Sequence, residues 1–130
     1  MIGAIFCIYG DDLDPEAITR ELVINPSESF RRGSPIVTRR RTYGDHPTGG
    51  WLLRTQDAVR STDLEVHLAW LLSQLRPQTG VIRKLAAEGL DIALICLISG
   101  GPGGGGPTIS ANTLADITRL GIPVDLDVYC

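Results

Sequence analysis

The stretch Ser99 to Thr108, SGGPGGGGPT, holds six of the chain's fifteen glycines. Within it, Gly101, Gly103 and Gly106 satisfy the GxGxxG spacing, after an apolar run and before a helical pattern. In a dinucleotide-binding fold such a loop lets backbone amides approach a pyrophosphate. The following helix aims its N-terminus at the anion, and a later acid, here Asp125 or Asp127, holds a ribose. The surrounding residues serve that chemistry poorly. Pro102 and Pro107 each remove a backbone N–H donor. The helical pattern resumes only near Ser110, too late to set its positive end against the glycines. No GK[ST] follows, which excludes a P-loop. A flexible connection is the preferred reading, and nucleotide binding or catalysis at Gly101, Gly103 and Gly106 is the alternative.

Arg31, Arg32, Arg39, Arg40 and Arg41 form the second candidate, flanked by Phe30 and Tyr43. Guanidinium groups pair bidentately with carboxylates or phosphates, so this segment suits a protein partner. Nucleic acid is not expected, because the chain is acidic overall, with net charge −3. The bland alternative is a solvated hairpin whose charges block edge pairing. Asp11, Asp12, Asp14 and Glu16 cluster ahead of a helix, where capping and the helix dipole account for Asp14 and Glu16. His67, with Asp63 one turn earlier, has the spacing of a polarised His–Asp pair. No GxSxG accompanies it, and a packed histidine satisfied by a neighbour is the expectation. Cys7 and Cys96 fall inside apolar runs without CxxC or CxxH spacing. Neither a disulfide set, a metal site nor a cofactor is expected, and no catalytic residue is assigned.

The elements that must position these residues follow from periodicity. Ala4 to Tyr9 (AIFCIY) and Asp91 to Ser99 (DIALICLIS) are near-continuous apolar runs and read as buried strands. Asp14-Pro15 starts a helix that Asn25-Pro26 ends. Ser29 to Arg32, the middle run Ile36 to Tyr43, and Trp51 to Thr55 suggest a hairpin or meander with loose connections. Thr62-Asp-Leu-Glu65 reads as a capping box, followed by Leu64, Leu68, Leu71, Leu72 and Leu75 at helical spacing. Pro77 interrupts that helix or opens a second segment, in which Val81, Ile82 and Leu85 continue the apolar face. Ser110 or Asn112 caps a last helix, Gly121 stops it, and Val124 to Tyr129 alternates as a strand.

Three blocks, LDPEAITRELVINPSESFRRG, Trp51 to Leu75, and the ending LGIPVDLDVYC, resemble a mostly bacterial family known as domain of unknown function 4279. The resemblance implies an α+β domain with no established activity and no functional residues to carry over. In similar sequences the segment before the last helix is a short variable loop, and its glycine extension here argues against an essential cradle.

The expected fold is therefore α+β, one domain over residues 1–130, with a mostly antiparallel sheet and helices packed on one face. The strand–helix echoes at Asp14 to Pro26 and Ser110 to Pro123 suggest a two-fold β-α-β pseudo-repeat around a long central helix. No apolar run approaches the ~20 residues of a membrane helix, and no leader pattern opens the chain, so a cytoplasmic protein is expected. The functional expectation is a non-enzymatic partner-binding module, of the immunity or antitoxin type. An unpaired strand edge leaves a homodimer open.

Overall fold

The computed structural model of the chain describes residues 2–38, 42–99 and 106–129. The chain runs β1 (Gly3–Gly10), α1 (Pro15–Leu22), β2 (Glu28–Phe30), β3 (Pro35–Val37), β4 (Thr42–Asp45), β5 (Gly49–Arg54), α2 (Leu64–Leu75), a one-turn 3-10 helix (Arg76–Gln78), α3 (Thr79–Ala87), β6 (Asp91–Ser99), α4 (Ala111–Leu120) and β7 (Val124–Tyr129). The starts and breaks obey local chemistry. Asp14 caps α1 by accepting from the Glu16 amide, with Pro15 at the first helical position. Pro77 sits in the 3-10 turn that separates α2 from α3. Gly121, at φ 73°, takes the left-handed position that ends α4.

Five strands form one sheet in the order β2-β5-β1-β6-β7. The pairs β2–β5, β5–β1 and β1–β6 are antiparallel, and only β6–β7 is parallel. On one face Ala4, Phe6 and Ile8 from β1, Trp51 and Leu53 from β5, and Ile92, Leu94 and Cys96 from β6 join the helices in a single core. The helices contribute Ile18 and Leu22, the α2 leucines, Ile82 and Leu85, and Ile117 and Leu120. The domain is thus α+β, with its helices on one face of a mostly antiparallel sheet. Among the described residues no helix is long and apolar enough to cross a membrane.

Several local expectations need correction. The middle run is a hairpin of two short strands, β3 and β4, as one of its two readings has it, but it forms a sheet of its own and does not continue into the main one. The helix α1 ends at Leu22, with Val23 in the left-handed region, before the Asn25-Pro26 signal. Asp63, not Thr62, caps α2, and no capping box closes there, because Glu65 turns its carboxylate to α4. The two β-α-β echoes are not equivalent in topology. β7 pairs directly with β6, whereas β5 lies between β1 and β2.

Candidate functional site

Alternation along each strand sends every second side chain to the face away from the helices. On that face the register places Glu28, Leu52, Cys7 and Ala93 in one cross-strand row. The next row holds Arg54, Ile5, Ile95 and Asp125. Phe30, Gly50, Tyr9 and Asp91 line up on the other side. Cys7, Leu52 and Ala93 form a second apolar cluster, with Ile5, Tyr9, Phe30 and Ile95 half-buried against it. Burial pushes the Cys7 thiol up to about 11, so it is a packing group and not a nucleophile. Gly50 admits the Phe30 ring, since a Cβ there would lie 2.7 Å from its Cε2 atom. The Phe30 ring also stacks on His46, with ring centroids 3.7 Å apart and planes 7° from parallel.

Among the described residues no helix packs on this second face. Its margins are charged. Asp91, Asp125 and Asp127 stand toward the β6–β7 side, and Glu28 is paired with Arg54 at 2.8 Å toward the other. The face was not singled out from the sequence, although its signal is there. A strand solvated on one side alternates apolar and polar residues. The runs AIFCIY and DIALICLIS do not, and are the pattern of strands covered twice.

The residues chosen from sequence are arranged differently. Arg31 binds Asp14 at 2.8 Å and Glu16 at 2.5 Å, and Arg32 lies 3.5 Å from Asp11. Arg31 and Arg32 therefore pair with three of the four acids at the start of α1. Hydrogen bonding with Glu16, then with the Ala17 amide, together with the Arg31 charge, holds the Asp14 carboxyl below its usual range. These pairs are exposed, and such pairs contribute little. Arg39, Arg40 and Arg41 lie outside the described residues.

His67 is 1% exposed. Its Nε2 meets the Ser61 carbonyl at 2.8 Å and its Nδ1 meets the Thr55 hydroxyl at 2.7 Å. A carbonyl only accepts, so the partners assign the proton to Nε2. Thr55 Oγ1 in turn accepts from the Ala4 amide at 2.9 Å, leaving its own hydrogen for Nδ1. The imidazole nitrogens and the Thr55 hydroxyl are thus all engaged. Asp63 is not a partner, because its carboxylate caps α2 by accepting from the Glu65 amide. The pair suggested by spacing is replaced by a clamp joining β1, the end of β5 and α2.

Gly101 and Gly103 lie outside the described residues, while Gly106 is exposed with open space where a Cβ would stand. The helix after the glycines is described, and its cap residue is bound within the chain. The Ser110 amide donates to Glu65 Oε1, and the Thr113 hydroxyl donates to Glu65 Oε2 at 2.8 Å. A carboxylate of the chain itself thus holds the cap residue of this helix. These bonds, the Ser110 amide foremost, lower the Glu65 pKa. With the folded value below the unfolded one, the stabilisation is complete above the unfolded value and is lost as pH falls through the folded one. Glu65→Gln should therefore cost about 1 kcal/mol at pH 7, the size of one helix cap. In urea unfolding the gap to the wild type should close on acidification below the carboxylate range. A gap that persists at low pH would contradict this role.

No group of three or more metal-ligating side chains converges among the described residues. In comparisons with known proteins, residues 1–130 match the family model described as Domain of unknown function (DUF4279). No curated protein and no solved structure matches the chain.

Proposed function

The chain belongs to the DUF4279 family, and we propose that it is a non-enzymatic module that binds a protein partner on the helix-free face of its sheet. One observation carries the reading. Strands β1 and β6 are apolar on both faces, yet among the described residues helices pack on only one of them, and Ile5, Tyr9 and Ile95 on the other stay half-buried. An apolar sheet face needs a second layer, and a partner supplies it. The acidic margin at Asp91, Asp125 and Asp127 favours a partner with a cationic rim. An immunity or antitoxin role is the biological form this takes. A small acidic domain that masks a basic protein needs an apolar contact area and complementary charge, and no reacting groups. His67, the residue best suited to general-base work, is buried with both nitrogens engaged.

The test is capture from the lysate of the protein's own cells. Ile95, half-buried at the centre of the face, is replaced by lysine, and folding is checked by circular dichroism and melting temperature. A partner held stoichiometrically by the wild type should be lost with Ile95→Lys, at least tenfold, as expected for a charge placed in an apolar contact. A combined Arg39→Ala, Arg40→Ala and Arg41→Ala variant runs beside it. Retention by Ile95→Lys with loss in the arginine variant would move the contact to the arginine segment and overturn the assignment to the sheet face.

A further inference from the structure

The strand β7 closes one side of the sheet, and among the described residues only β6 pairs with it. An edge of this kind presents a row of N–H and C=O groups to a further strand. The two faces of β7 differ. Leu126 and Val128 register with Cys96 and Ile98 on the helix side, yet remain 62% and 59% exposed. Asp125, Asp127 and Tyr129 stand on the other face. The Tyr129 hydroxyl donates to Asp127 at 3.1 Å, and none of the ion pairs among the described residues involves Asp125 or Asp127.

The charges select the occupant. A second copy pairing antiparallel about a two-fold axis, with its faces matched, has two registers of greatest overlap. One sets Asp125 against Asp127 and the other sets Asp127 against itself. Like charges directly opposite destabilise a strand pair. A strand with arginine or lysine at alternate positions meets both carboxylates, and its intervening apolar residues cover Leu126 and Val128. We propose that β7 is the acceptor edge for such a strand of the partner, in the manner of β-augmentation. This rests on the partner-binding reading above and names the chemistry of the contact.

The probe is a short peptide alternating arginine and valine, titrated against the full chain by NMR. Binding should protect the amides of Val124–Tyr129 from exchange and weaken with salt. Asp125→Asn together with Asp127→Asn should weaken it roughly tenfold, the sum of two cross-strand charge pairs. The same peptide methylated on the backbone nitrogens that would face β7 should not bind. Equal binding of the methylated peptide would overturn the proposal, since the acids would then attract cations without strand pairing. So would no binding at all, or a homodimer by sedimentation that Leu126→Pro abolishes. Cellular partner capture that depends on Ile95 but not on Asp125 and Asp127 would remove the edge assignment and leave the partner-binding reading intact. Peptide binding at β7 with no partner lost by Ile95→Lys would do the reverse.

Discussion

Replacing His67 with leucine should lower the unfolding free energy by about 3 kcal/mol, a large share of the ~5–15 kcal/mol that holds a domain of this kind. Leucine fills the volume but offers no partner to the Thr55 hydroxyl or the Ser61 carbonyl. Thr55 is fully buried, so its stranded hydrogen carries the desolvation penalty without compensation. Thr55→Val removes the other half of the contact and exposes the Ala4 amide to the same penalty. The two substitutions touch one network, so their combined cost should fall short of the sum by about 1–2 kcal/mol. Urea unfolding of the two single variants and the double variant measures this directly. Costs that simply add would contradict the shared network.

Trp51→Ala should be the most damaging single change, at about 3–5 kcal/mol. Trp51 is fully buried on the helix side of β5. It meets Phe6 of β1 edge-on, with ring centroids 6.1 Å apart and planes at 81°. Its Nε1 donates to the Thr19 hydroxyl of α1 at 3.0 Å. One side chain therefore fastens the neighbouring strand and the first helix. Trp51→Phe keeps most of the packing and drops the hydrogen bond, so it should cost about 1 kcal/mol. Thermal unfolding should rank the wild type, Trp51→Phe and Trp51→Ala in that order. A Trp51→Ala protein that melts within a few degrees of wild type would show that β5 is held by other means.

Much of the frame is legible in short windows. Asp14-Pro15, Pro77, Gly121 and the leucines of α2 each act within a few residues, through caps, missing donors and helical spacing. What short windows do not hold is the destination of a polar side chain. Glu65 sits where a capping box would use it, yet binds Ser110, 45 residues away. His67 has an acid one turn back, but that acid is spent on a helix amide and the histidine turns to Thr55. Arg31 and Arg32 look free to meet a partner until the fold sets them against Asp14, Glu16 and Asp11. The sheet face is a different case. Its evidence lies in the unbroken apolar character of β1 and β6, which states that two layers are needed but not that, among the described residues, helices pack on only one face.

The most direct measurement places a photo-crosslinking amino acid at Ile95, in the middle of the helix-free face. A second protein carries it at Ala87, exposed on α3 on the opposite side. Each is expressed in the protein's own cells and irradiated. The partner-binding account predicts one dominant adduct at position 95, reduced by salt, and none at position 87. An adduct at position 87 with none at 95, or no protein adduct at either, would contradict it.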